Sequence, residues 1–158
     1  MRIEQTFEVA SAPEAVFDYL TNPSNLREWQ TSKTRVEVLT EGPPRQGYRV
    51  REWTKPPGAK EFEQVVEFTD FDRPHRVHTH IVEGPQPIDG TWTFTPSGGG
   101  TSVHFVAQGA LQGLMRFAEP IVKRMIARQF VQYHENLRRN VEAGLPGAEV
   151  GSTRRRPA

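Results

Sequence analysis

The feature that most restricts this chain is a change of hydrophobic period. Short stretches of period two run through most of the sequence, and one long stretch of helical period closes it. From 114 to 143, at about 100° per residue, Leu114, Ala118, Ile121, Val122 and Met125 share an arc. Ile126, Phe130, Tyr133, Leu137 and Val141 continue that arc with a slow drift, while Arg116, Lys123, Arg124, Arg138 and Glu142 lie outside it. The pattern predicts Ile121 and Met125 against the rest of the protein and Lys123 and Arg124 in water. A helix of that length spans about 45 Å, enough to cross a whole sheet. Pro120 either kinks it or occupies its first turn, and Gly144, Pro146 and Gly147 end it.

Ahead of that helix the pattern is strand-like. Ile3, Gln5, Phe7 and Val9 alternate with charged and polar residues. Ser11 offers a helix cap ahead of Pro13, and Ala15, Val16, Tyr19 and Leu20 form the buried stripe of a short helix. Asn22-Pro23 stops it, and Ser24 caps a second short helix carrying Leu26 and Trp29. Period two returns with Val36 and Val38, with Tyr48, Val50 and Glu52, and with Phe62, Gln64, Val66 and Phe68. Val77, Thr79 and Ile81, then Trp92 and Phe94, then Val103, Phe105 and Ala107 mark the last three strands. Short turns rich in Gly and Pro separate these runs, so seven strands form an antiparallel meander with two short helices after the first. The triple glycine at 98–100 is a hairpin turn, not a phosphate loop.

At 158 residues the chain fits one domain. The boundaries read as a ligand-binding domain over 1–144 and a flexible basic tail over 145–158, where Arg154, Arg155 and Arg156 cluster. With 20 Lys plus Arg against 19 Asp plus Glu, three of those arginines in the tail, nothing points to nucleic acid. The absence of cysteine excludes disulfides, thiolate metal sites and a cysteine nucleophile. No membrane-spanning apolar run and no signal sequence are read, so the expectation is a cytoplasmic protein, monomer or weak homodimer, with no cofactor.

A seven-stranded antiparallel sheet must cover its apolar face, and the long helix is the only long apolar element available. One helix, about 10 Å wide, cannot fill the concavity of a curved sheet. The gap predicts an internal pocket.

Four stretches carry a family resemblance: Ala12-Pro13-Glu14-Ala15-Val16-Phe17-Asp18-Tyr19-Leu20-Thr21-Asn22-Pro23; Asn25-Leu26-Arg27-Glu28-Trp29; Phe68-Thr69-Asp70-Phe71-Asp72-Arg73-Pro74; and Gly100-Thr101-Ser102-Val103. Arg128-Gln129-Phe130, leading to Asn136-Leu137, adds a fifth. Over about residues 1–143 the chain resembles the START, polyketide cyclase and Bet v 1-like superfamily, closest to its polyketide cyclase/dehydrase and lipid-transport branch. The resemblance implies an α+β helix-grip fold. Its members include lipid carriers, hormone receptors, aromatase/cyclases and co-chaperones, so it leaves function open.

Several residues are candidates for the pocket. Gln129 lies within the helix's apolar arc, where an amide needs a partner: a ligand, the backbone or water. Glu52 shares the parity of Tyr48 and Val50, which places a candidate general acid or base in the pocket. A slip at a bulge, the commoner outcome, turns it to water. Gln64 reads like Glu52. Trp29 lies beside the pocket mouth, as a stacking surface or a core plug, and Tyr19 and Tyr133 are packing residues whose hydroxyls can orient a ligand. The expected lining comprises Trp29, Tyr48, Val50, Glu52, Phe62, Gln64, Val66 and Phe68, followed by Thr79, Trp92, Phe94, Val122, Met125, Gln129 and Tyr133. His78 and His80 share a strand face and invite a metal, with His75 and His104 nearby in the pattern. Val77, Thr79 and Ile81 read as the inner face, which leaves the histidines outside, and no metal is expected. His134 is read on the helix's polar side, without a role.

No Ser–His–Asp arrangement, nucleotide loop or zincin motif occurs. The leading expectation is therefore a non-catalytic binder or carrier of a small hydrophobic, lipid- or polyketide-like molecule. The alternative is an aromatase/cyclase-type enzyme using pocket polar groups, with Glu52 its candidate catalytic residue. A protein-interaction module is the third.

Overall fold

A computed structural model describes residues 1–144. The expectation for the tail over 145–158 lies outside the described residues. The chain runs β1 (Arg2–Val9), α1 (Pro13–Thr21), a 3-10 turn (Pro23–Asn25), α2 (Leu26–Trp29), then six further strands. These are β2 (Lys33–Val38), β3 (Arg49–Thr54), β4 (Phe62–Asp72), β5 (Arg76–Glu83), β6 (Asp89–Ser97) and β7 (Gly100–Gln108). A 3-10 turn (Gly113–Ala118) leads into α3 (Glu119–Glu142). The seven strands form one antiparallel sheet in the order β1-β7-β6-β5-β4-β3-β2. This is the helix-grip arrangement that the order of elements and the resemblance both predict. No helix among the described residues is long and apolar enough to cross a membrane.

Local chemistry sets the boundaries. Pro13 stands in the first turn of α1, but its cap is the extended residue Ala12, not Ser11, whose carbonyl instead accepts the Thr101 hydroxyl. The Asn22 side chain, rather than Ser24, caps the following turn by accepting from the Ser24 amide. Gly100 has a packing reason to be glycine: a Cβ there would come within 2.4 Å of the Val9 carbonyl oxygen.

The core lies on the β1–β7–β6 side of the sheet, under α1 and the second half of α3. Phe17 of α1 sits edge-on to Phe71 at 5.0 Å and to Phe94 at 5.2 Å. Phe105 on β7 stacks on Phe130 of α3 at 4.6 Å.

The long helix differs from its expected form in start and face. It begins at Glu119, after a separate 3-10 turn, with Pro120 in its first turn. Its buried residues are Tyr133, His134, Asn136, Leu137 and Val141, with Ile126 and Phe130 packed against the core. Ile121 and Met125 are 66% and 54% exposed, so they do not face the sheet. The physical reason is the breadth of the expected arc. Ile121, Met125 and Ile126 all lie in the one continuous helix α3, and the drifting arc taken from Leu114 joins positions on it that point in different directions. At about 100° per residue, Ile121 lies about 140° away from Ile126.

His134 is the other reversal. It is buried at 3% exposure, inside the core. The Trp92 Nε1–H donates to His134 Nε2 at 3.1 Å, and Nδ1 of the same ring lies 2.9 Å from Gln5 Oε1. An indole N–H only donates, so Nε2 accepts and Nδ1 carries the proton. Gln5 Nε2 then donates to the Ala127 carbonyl at 2.8 Å. This chain ties β6, α3 and β1 together, and burial pushes the imidazole pKa down to about 3. Helical periodicity misses it because a neutral, fully bonded histidine packs as an aromatic. Its ring lies 4.5 Å from Phe7.

Candidate functional site

Where α3 leaves the sheet uncovered, between β3–β7, α2 and the middle of α3, a cavity of about 200 Å³ opens. Of the expected lining, Trp29, Val50, Glu52, Phe62, Gln64, Val66, Phe68, Thr79, Trp92, Gln129 and Tyr133 surround it. Four do not. Tyr48 precedes β3, and its buried ring stacks on the lining residue Phe68 at 5.9 Å without reaching the cavity itself. Phe94 packs under α1 on Phe17. Val122 and Met125 precede the segment of α3 that reaches the cavity, Ile126 to Tyr133.

The wall is largely apolar, and one cluster of its polar groups is built around Glu52. Glu52 points inward, as its parity with Val50 predicts, and is 6% exposed. Its partner is Lys33, with Nζ 2.7 Å from Glu52 Oε1. The same ammonium donates to Thr54 Oγ1 at 2.8 Å, and Gln64 Nε2 donates to Glu52 Oε1 at 2.7 Å. Lys33 was not legible from pattern, because in β2 it shares parity with Arg35 and Glu37, which point away. A bulge explains its position: Lys33 pairs with Thr54 and Arg35 with Trp53, so Thr34 is an extra residue. That one-residue insertion turns Lys33 to the inner face, opposite Thr54 and within reach of Glu52. The bulge exists, but on β2 rather than β3, so it moves Lys33 and leaves Glu52 inside.

Gln129 Nε2 donates to Ser32 Oγ at 2.7 Å, which resolves its partner as a side chain of the turn that leads into β2. Tyr133 also hydrogen-bonds Ser32, and burial raises its phenol pKa, with the Glu52 charge adding to the shift. The phenol is therefore protonated at neutral pH. Tyr19 makes its contacts outside the cavity, accepting from Asn140 Nδ2 at 2.9 Å, and burial pushes its pKa up to about 12. The Trp29 indole N–H is buried with no hydrogen-bond partner.

Val77, Thr79 and Ile81 do face inward: Val77 is fully buried, and Thr79 and Ile81 reach the cavity. The histidines beside them lie on the other face. His80 Nδ1 is 2.5 Å from Asp89 Oδ1, His78 contacts Thr69, and His104 Nε2 is 2.8 Å from Glu4 Oε2. His75 is exposed beside Asp72. Among the described residues no group of three His, Asp or Glu side chains is placed to hold a metal ion.

Chemically, the site is a largely apolar chamber with a polar cluster around the charge-neutral Lys33–Glu52 pair, while a second lining carboxylate, Asp89, is held by His80. The cluster presents an ammonium, a carboxylate, two amides and a phenol, all hydrogen-bonded to one another or to Ser32 and Thr54.

No curated protein matches the chain in sequence. Solved structures match its fold. TTHA0849 from Thermus thermophilus superposes with a TM-score of 0.80 at 20% identity, over 92% of this chain and 99% of that one. The KanY protein gives 0.71 at 20% identity, over 90% and 97% of the two chains. Ara h 8.0201 gives 0.70 at 11% identity, over 90% and 98%. The family model described as polyketide cyclase / dehydrase and lipid transport matches residues 1–142. With nearly the whole described chain matched, this protein belongs to the polyketide cyclase / dehydrase and lipid transport family.

Proposed function

We propose that this protein binds or carries a small, uncharged, mostly apolar molecule that bears a hydrogen-bonding oxygen. The observation that carries this reading is the Lys33–Glu52 pair inside an otherwise apolar chamber. A buried pair has no net charge to offer a counter-ion, and an anionic ligand end would meet the Glu52 carboxylate. A neutral hydroxyl or carbonyl meets a donor and an acceptor side by side. Size narrows the class further. A cavity of about 150 Å³ holds benzene, so about 200 Å³ suits one or two rings or a short chain. The family description, with both cyclase/dehydrase and lipid transport in it, is compatible with such a ligand.

The test is a pair of ligands with one ring system, titrated calorimetrically at neutral pH. 2-Naphthol is neutral there and 2-naphthoate is anionic. The naphthol is expected to bind about tenfold or more tightly, the size of one hydrogen bond to a charged group. Tighter binding of the naphthoate, or binding of neither, overturns the reading.

A second reading, a cyclase-type enzyme, is favoured by the same carboxylate standing in the pocket wall near a protonated phenol, since that combination can accept and supply protons. Its signature is turnover: cyclised product from a poly-β-keto substrate, lost in Glu52→Gln while 2-naphthol still binds.

A further inference from the structure

Among the described residues, five of the seven large apolar side chains that stand exposed fall between 114 and 125: Leu114, Met115, Phe117, Ile121 and Met125. Leu114 is 85% and Phe117 74% exposed. They occupy the 3-10 turn and the first turns of α3, on the side of the helix that its core-packing stripe leaves free. Cations are interleaved with them: Arg116, Lys123, Arg124 and Arg128 are all exposed. The Arg116 guanidinium covers the Phe117 ring at 4.7 Å. The only carboxylate in the segment 112–129 is Glu119, which lies 3.4 Å from the amino group of Met1.

We propose that this face docks on an anionic lipid bilayer. Apolar side chains of this size enter the boundary between headgroups and acyl chains, while long cationic side chains reach the lipid phosphates. Four cations against one carboxylate leave a net charge of +3 on the segment (4 − 1), which suits an anionic surface. The same charge opposes pairing of the face with a second copy of itself. The face also borders the pocket. Ile126, next to Met125, lines the cavity, and Gln86 ties the 3-10 turn to the strand connection that carries the cavity residue Ile88. Docking thus sets the pocket beside the lipid phase. The site differs from the ligand chamber, and its test does not depend on what the chamber holds.

The experiment is co-sedimentation of the whole protein with vesicles. One set is phosphatidylcholine alone, and the other is equal parts phosphatidylcholine and phosphatidylglycerol. Binding is expected to the mixed vesicles and not to phosphatidylcholine alone, weakening as salt is raised. Arg124→Ala with Arg128→Ala is expected to weaken it by about tenfold or more. Phe117→Ser with Ile121→Ser is expected to abolish it, while thermal unfolding and 2-naphthol binding stay unchanged because these side chains are exposed. No binding to the mixed vesicles, or equal binding by the serine variant, overturns the proposal. So does concentration-dependent dimerisation that the serine variant removes, which reassigns the face to a second copy. Retention of the native protein by an acidic helical peptide but not by vesicles reassigns it to a protein partner.

Discussion

The Lys33 ammonium and the Glu52 carboxylate meet at 2.7 Å with both side chains more than nine-tenths buried, one on each side of the β2 bulge register. Each ion alone at this depth is strongly unfavourable, and each is tolerated because the other is there. Glu52→Leu therefore leaves an unpaired ammonium and is expected to destabilise by about 3–5 kcal/mol. Lys33→Met with Glu52→Leu removes both charges and is expected to lie within about 1 kcal/mol of the parent or above it. Urea unfolding of the two singles and the double gives the coupling. Additive single effects would sink the pairing.

On the proposed reading the pair also sets the ligand preference. In Lys33→Met with Glu52→Leu, the advantage of 2-naphthol over plain naphthalene is expected to vanish while naphthalene binding persists. If the preference for the hydroxyl survives, the polar wall is not what recognises it.

Burial of neutral His134 makes stability depend on pH. The imidazole titrates at about 3 in the folded protein against 6.5 for its ordinary value. Between these values the unfolded chain holds the extra proton. The contribution is therefore fully present above about pH 6.5 and is lost as pH falls toward 3. The slope contributed is at most about 1.4 kcal/mol per pH unit. In His134→Gln this part of the acid sensitivity should disappear, although the variant is less stable overall because the amide fits the aromatic nest poorly. Parallel stability–pH curves for the two proteins between pH 6.5 and 4.5 would falsify the assignment.

The two faces of α3 should respond oppositely. Leu137, fully buried, is expected to cost about 2–5 kcal/mol on truncation to Ala. Met125→Lys is expected to cost within about 0.5 kcal/mol, because the side chain is already in water. A large loss at Met125 in denaturant unfolding would restore the face expected from the unbroken helical arc.

Ala107 lies in the cavity wall at 1% exposure. A larger side chain there projects into open space, so Ala107→Leu should weaken 2-naphthol binding by more than about tenfold while stability holds or rises. Unchanged binding in a folded variant would place the ligand elsewhere.

Pattern alone carried the seven strands, the two short helices, the long helix and their order, because period two and period 3.6 are properties of the backbone itself. It also carried much of one side of the cavity wall. Phe62, Gln64, Val66 and Phe68 alternate without interruption along β4, and Glu52 keeps the parity of Val50. Three things required the tertiary structure. A one-residue bulge reverses the face of every side chain beyond it, and nothing at Lys33 to Arg35 marks it in the sequence. The drifting arc drawn from Leu114 joins residues up to about 140° apart on α3, so it pointed Ile121 and Met125 at a sheet they never meet, and only the packing decides which side of that arc is covered. A polar side chain is buried only where its partners converge. For His134 these are Trp92 and Gln5, on two strands distant in sequence, and only the folded sheet brings them to one helix face.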